Sequence, residues 1–323
     1  MRVDQRTAHA LRITASVVLL AACLWLVEFG DVVAAVRGLD PWMFAVAFVL
    51  NGVGTVAVRA WIAHLAAIAS GITLGPWALL RVNLVARFYT LVLPRGAAAA
   101  VRWKHYSEGG AAMAASALLL FETLVATATL FGTAAVALSL VPERGELARV
   151  LLPLSWLFFA ISIGSLMPFL HRPSARVAHR INARLLGRSP RLAALARRFT
   201  AAVAEYERIP KRTITGIVAV SLFGYVLFVL SAWVLLQAMD LQVGLIAIAW
   251  IRSVTLLLAL VPISVAGLGV REASFIALLG ECGVSSSAAF AFSMATFTIQ
   301  LLLGAIGALL ELSRVFSRPA ATS

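Results

Sequence analysis

Carboxylates are scarce in this chain. Asp and Glu number 14 against 27 Lys and Arg in 323 residues, and the four together make up 13%, about half the share of a soluble globular domain. There is no Asp-x-Asp pair, no His-Glu-x-x-His, no Gly-x-Ser-x-Gly and no phosphate-binding loop ending in Gly-Lys, so the sequence motifs of metal-assisted, nucleophilic and nucleotide chemistry are missing. Cysteine is nearly absent as well. Cys23 and Cys282 lie in or beside apolar stretches without ligand spacing to anything, which excludes a disulfide framework and a thiolate metal site. The chain also lacks a polar stretch large enough to form a soluble domain around a nucleotide. No metal, cofactor or autonomous enzyme activity is therefore expected.

What the chain has in place of charge is hydrocarbon. Hydrophobic residues make up 62% and the mean hydropathy is +0.96, the composition of a polytopic membrane protein. Apolar runs of about 20 residues, enough to cross about 30 Å of hydrocarbon, occur near 13–29, 42–70, 111–140, 150–170, 213–237 and 286–312. Two further stretches, 77–103 and 244–284, are apolar but interrupted, the first by Pro94, Arg95 and Gly96, the second by Pro262, Gly267 and Gly269. Proline removes a helix donor and glycine frees the backbone, so both helices are expected to break there.

The basic residues set an expected topology. Arg2, Arg6 and Arg12 precede the first apolar run, and 171–212 carries Arg172, Arg176, Arg180, Arg184, Arg188, Arg191, Arg197, Arg198, Arg208, Lys211 and Arg212. By the positive-inside rule both segments are cytoplasmic, with Arg314 and Arg318 bringing the C-terminus to the same side. Val177, Ile181 and Leu185 give the basic segment an apolar stripe suited to the membrane surface. This excess charge points to anionic lipid headgroups, and nucleic acid is not expected as a partner. Crossing parity then sends the two broken segments in from opposite faces. The expected fold is an all-α integral membrane protein of about six to eight transmembrane helices plus two Pro/Gly-broken re-entrant segments, arranged as an inverted repeat. It forms one integral domain over 1–323, with a first half at about 10–170, a basic cytoplasmic segment at 171–212 and a second half at 213–315.

Charge inside such a chain marks a working site, because insertion scales put an arginine or aspartate at a helix centre at about 2.5–3.5 kcal/mol. The adjacent Arg271 and Glu272 follow Ser264, Gly267 and Gly269, where an unwound backbone and the start of a helix near Val270 would face an anionic group. Arg87 and Arg95 form the matching cationic break in the first half, and arginine's planar fork suits phosphate. Arg102 is expected to snorkel to the headgroups. Glu122 lies near the middle of its span and needs a cation, the candidates being Arg59, Arg87, Arg252 and Arg271. Arg59 and Arg252, also within spans, are either helix-pairing groups or part of the same site. Asn51, Asn83, Gln300 and His64 are read as neutral helix bridges.

The pattern Pro262-x-Ser264-x-x-Gly267-x-Gly269-x-Arg271-Glu272, with Pro94-x-Gly96, Arg102 and Glu122 in the first half, resembles the lysylphosphatidylglycerol synthase transmembrane family over roughly 10–315. Ala97 to Ala100 stand where that family has glycines and often an acidic residue. The resemblance implies a lipid flippase module without the aminoacyl transferase domain that follows it in some members. Combined with the paired breaks, it leads to the expectation of a prokaryotic plasma-membrane protein, both termini cytoplasmic, that binds and translocates a phospholipid or polyprenyl-phosphate lipid. Arg271, Glu272, Gly267, Gly269, Ser264, Arg252, Arg87, Arg95, Glu122 and Arg59 would form its site. The rival readings are a lipid-binding subunit or synthase of lipid-linked sugar or aminoacyl-lipid metabolism, and a membrane scaffold recruiting partners through 171–212.

Overall fold

The computed structural model describes residues 27–70, 74–92, 97–107, 112–141, 146–170, 210–260 and 269–316, together with Cys23, Thr200, Val203 and Ala204. Most of the first apolar run, nearly all of the basic segment 171–212 and the two breaks at 93–96 and 261–268 lie outside the described residues. So do three predicted site residues, Arg95, Ser264 and Gly267.

The described chain is helical: α1 (Phe29–Arg37), α2 (Pro41–Gly52), a π-turn (Val53–Ala57), α3 (Val58–Ser70), α4 (Pro76–Val92), α5 (Ala97–Tyr106), α6 (Ala112–Leu140), α7 (Glu146–Leu170), α8 (Lys211–Ala238), α9 (Leu245–Leu260), α10 (Val270–Gly280) and α11 (Ser286–Phe316). Five stretches are long and apolar enough to cross a membrane: Pro41–Ile68, Ala112–Leu140, Arg149–Phe169, Lys211–Ala238 and Ser286–Ser313; Leu245–Leu258 is a shorter apolar helix. Among the described residues the count of full spans is thus below the expected six to eight. The two interrupted stretches account for part of the difference, since the described residues of each form a longer and a shorter helix on either side of an undescribed stretch.

Local chemistry explains the boundaries. Asp40 caps α2, its carboxylate accepting from the Trp42 and Met43 amides at 2.8 and 3.1 Å, with Pro41 at the first helical position where its missing N–H costs nothing. Trp42 and Trp77 stand almost fully exposed at the starts of α2 and α4, on opposite sides of the span between them, as the aromatic belts of a bilayer require. Small residues line the contacts. Gly304 and Gly307 let α11 lie directly on α4, where a Cβ on Gly307 would come within 2.1 Å of the Leu84 carbonyl oxygen.

The halves repeat with reversed direction. The first is α1–α6 and the second α7–α11, and their packing partners exchange: α4 packs on α11 and α9 on α6; α1 packs on α11 and α7 on α6; α5 packs on α4 and α6, and α10 on α9 and α11. The span through α2 and α3 pairs with its own counterpart, α8. The Asp40 amide donates to the Ala238 carbonyl (2.9 Å), the Ser231 hydroxyl to the Ala47 carbonyl (2.8 Å), and Gly54 meets Gly224. Stepping forward along one helix steps backward along the other, so equivalent spans run antiparallel. Gly54 and Gly224 are each the fourteenth residue of a 28-residue span. The expected inversion is present, but the halves divide between α6 and α7 and not at the basic 171–212 segment, which follows α7 in the second half.

Two apolar clusters flank the middle. One joins α3, α4 and the first part of α6 to Tyr106, Ile214 and Ile217; the other joins Ala47 and the end of α8 to α9, α10 and α11. The polar side chains gather between them.

Candidate functional site

A cavity of about 480 Å³ opens between the clusters. Each half sends one arginine from the long arm of its broken helix and one from the short arm: Arg87 on α4 with Arg102 on α5, and Arg252 on α9 with Arg271 on α10. Arg59 on α3 is a fifth. Glu122 on α6 and Gln300 on α11 occupy matching elements of the two halves. The π-turn supplies Gly54 and Thr55, with Asn51 just before it, and the Thr55 hydroxyl donates to the Asn51 carbonyl at 2.7 Å. π-turns inside α-helices are frequent at functional sites.

Two of the five guanidinium groups have an internal carboxylate. Arg102 Nη1 donates to Glu122 Oε2 at 2.8 Å. Arg271 is paired with the neighbouring Glu272 through Nη2 and, at 3.0 Å, through Nε, which also reaches the Ser293 hydroxyl at 3.2 Å. Arg271 lies against Phe297, its Cζ 4.6 Å from the ring centre. The other three form no ion pair among the described residues, although Arg59 is within electrostatic reach of Glu122. Arg59 and Arg87 donate no hydrogen bond to any described residue. Arg252 stacks on Phe228, Cζ 4.0 Å from the ring centre, an attraction of about 0.5–2 kcal/mol, and its Nε has no partner among the described residues. Glu122 Oε1 and the Thr255 hydroxyl, both on the cavity wall, are likewise buried without one. Buried polar atoms left open in this way point at a ligand or water.

The arginines are close enough to repel. Arg87 feels Arg59 and Arg102, and Arg252 feels Arg271 and Arg87. At an effective dielectric constant of about 20, two like charges about 8 Å apart repel by about 2 kcal/mol. An anion in the cavity removes several such terms at once.

The predicted residues divide accordingly. Arg59, Arg87, Glu122, Arg252 and Arg271 all face the cavity. Glu122 takes its hydrogen-bonded partner from Arg102, because α5 folds back along α6 and carries Arg102 inward from its expected place among the headgroups; of the expected cations Arg59 is close enough to act on it electrostatically. Glu272 is fully buried away from the cavity wall and caps α10, accepting from the Gly269 amide at 2.7 Å. The start of α10 therefore has its own carboxylate and does not offer that amide to a ligand. Gly269 has φ of +81°, a conformation that only glycine adopts freely. Helix α10 does begin at Val270, where the sequence placed it. Asn83 bridges helices as expected, donating to the Tyr106 hydroxyl at 3.2 Å, whereas Asn51 and Gln300 line the cavity. Tyr225, Phe228 and Thr255 also line it and carry no sequence signal beyond being polar or aromatic in a span.

Beside the cavity lies a second recess. It measures about 620 Å³, is almost wholly apolar, and runs between α6, α7, α8 and α9, with Gly132, Phe159, Val226 and Ile246 in its walls. Thr129 and Tyr225 line both spaces. Tyr225 is held by hydrogen bonds to the Ser253 hydroxyl and the Ala249 carbonyl, and Ser253 approaches Thr133 at 3.4 Å, which ties α6, α8 and α9 together at the partition.

The family model described as the lysylphosphatidylglycerol synthase TM region matches residues 11–307. The chain belongs to this family. With its five long apolar helices the family member is a multi-pass membrane protein of lipid-related type. The match runs through both halves and both breaks, so every described arginine of the cavity falls within it. No curated protein matches the chain.

Proposed function

We propose that this membrane protein binds the phosphate-bearing headgroup of a lipid in its arginine-lined cavity and moves that lipid between leaflets. The observation that carries the reading is the junction of the two spaces: a polar cavity with arginines that form no ion pair among the described residues shares Thr129 and Tyr225 with an apolar recess large enough for hydrocarbon. An amphiphile has that division of chemistry. Arginine's fork binds phosphate oxygens in parallel pairs, and the recess takes an acyl or polyprenyl chain. The inverted halves support transport, because two opposed repeats around one central site are the architecture of alternating access. The function is transport and not catalysis. The basic stretches before the first run and between α7 and α8 support a cytoplasmic orientation of both termini in a prokaryotic plasma membrane.

The test is reconstitution into vesicles with a fluorescent anionic phospholipid whose outer-leaflet copies are quenched from outside. Vesicles holding the wild type should lose the protected half of the signal, and vesicles holding Arg87→Gln or Arg252→Gln should keep it. Wild-type vesicles no faster than protein-free ones would overturn the reading.

A further inference from the structure

We infer that the headgroup taken by this cavity carries two or more negative charges, as a phosphomonoester or a diphosphate does, and not the single charge of a phosphodiester. The inference rests on the headgroup reading above and narrows its substrate class.

The argument is a count of charges against partners. Arg59, Arg87, Arg102, Arg252 and Arg271 line the cavity. Two carboxylates answer them, Glu122 on Arg102 and Glu272 on Arg271. Three guanidinium groups remain, on three different helices, α3, α4 and α9. Among the described residues no other carboxylate lines the cavity or pairs with one of these arginines. Of the acidic residues, Glu122 lines the cavity and Glu272 pairs with Arg271, while the others with described side chains, at 28, 31, 40, 240, 281 and 311, are not part of its wall. The stretches at 93–96 and 261–268, outside the described residues, contain no acidic residue in their sequence. Neutral compensation is partial: Arg252 has the Phe228 face, while its Nε still lacks an acceptor.

Arginine keeps its charge at any physiological pH. A single phosphodiester would neutralise one of three. A phosphomonoester brings up to two charges at neutral pH and three terminal oxygens, and a diphosphate brings more of both. Only such a group offers enough oxygens to receive forks from three helices together.

The discriminating pair of probes is dioleoylphosphatidic acid and dioleoylphosphatidylmethanol at pH 8, which share their chains and differ by one methyl group and one charge. Binding to the full chain in neutral nanodiscs is read by native mass spectrometry and by ligand-dependent thermal stabilisation. Glu122, Tyr225 and the five arginines face both probes alike, so none can create a preference without the extra charge. The expected result is about tenfold tighter binding of the phosphatidic acid, a gap that closes in Arg87→Gln and survives in Arg87→Lys. Equal affinity for the two lipids would overturn the inference and leave the phosphate-headgroup reading standing. Binding of neither would overturn both. The wild-type comparison decides the matter even if the glutamine variant does not fold.

Discussion

Gly54 and Gly224 each occupy the space that a side chain on the other would need. A Cβ on Gly54 would lie 2.8 Å from the Gly224 carbonyl oxygen, and one on Gly224 would lie 2.9 Å from that of Gly54. A Cβ on Gly224 would also meet the Val58 side chain at 2.6 Å, but the carbonyls stand in the way in both directions, so turning a side chain would not relieve the crossing.

Gly224→Val should therefore push α8 away from the π-turn. Overpacking of this kind costs about 1–3 kcal/mol. The expected result is a lowered unfolding temperature in detergent, with Gly216→Val as the comparison, since nothing stands within 4 Å of a Cβ there. Equal effects of the two changes would count against the close crossing.

Arg271→Ala should damage the fold more than the site. It strands Glu272 in a fully buried position, and breaking a buried pair from one side costs about 3–5 kcal/mol. Replacing both residues with Ala should recover part of that stability. A thermal double-mutant cycle checks this, and a double variant no more stable than Arg271→Ala would refute the pairing.

Arg87→Gln and Arg252→Gln should behave in the opposite sense. Each removes a charge that has no carboxylate and is repelled by its neighbours, so stability should hold or rise by about 1 kcal/mol while anionic-lipid binding falls about tenfold. Unfolding curves with and without added phosphatidic acid separate the two effects.

Glu122→Gln should strengthen anion binding. It leaves Arg102 on the cavity wall without its carboxylate, adding a fourth guanidinium without an ion pair, and about tenfold tighter retention of phosphatidic acid is expected by native mass spectrometry. Weaker retention would show that Glu122 contacts the ligand favourably.

Val226→Trp should fill the apolar recess, into which Val226 is half exposed. Translocation should slow while headgroup binding is kept. If a soluble analogue such as glycerol 3-phosphate binds the variant as it does the wild type and translocation is also unchanged, the recess has no part in transport.

The spans were legible because a long apolar run is a one-dimensional property. The runs at 42–70, 111–140, 150–170, 213–237 and 286–312 coincide within a few residues with helices of the fold, and helices end at Val92 and Leu260, next to the Pro/Gly-marked stretches that lie outside the described residues. Charge inside a span is equally local, which is why Arg59, Arg87, Glu122 and Arg252 could be picked out. Arg102 could not. It sits beside Trp103, Lys104 and His105, a composition that reads as a membrane surface, and only the return of α5 along α6 turns it to Glu122. The same holds for Glu272: adjacency to Arg271 was visible, but whether it faced a ligand or closed its own helix depended on the turn at Gly269. The crossing at Gly54 and Gly224 had no signal at all, since two ordinary glycines 170 positions apart gain meaning only from the antiparallel pairing.

That crossing falls at the fourteenth residue of two 28-residue spans. At 1.5 Å per residue, a group bound beside it stands about 20 Å along the helices from either end. The cavity is therefore a watershed: a headgroup resting there has as far to travel to one surface as to the other, and position alone gives neither leaflet an advantage. Any net direction of travel has to come from unequal lipid concentrations, from the membrane potential acting on the headgroup's charge, or from a difference between the two mouths.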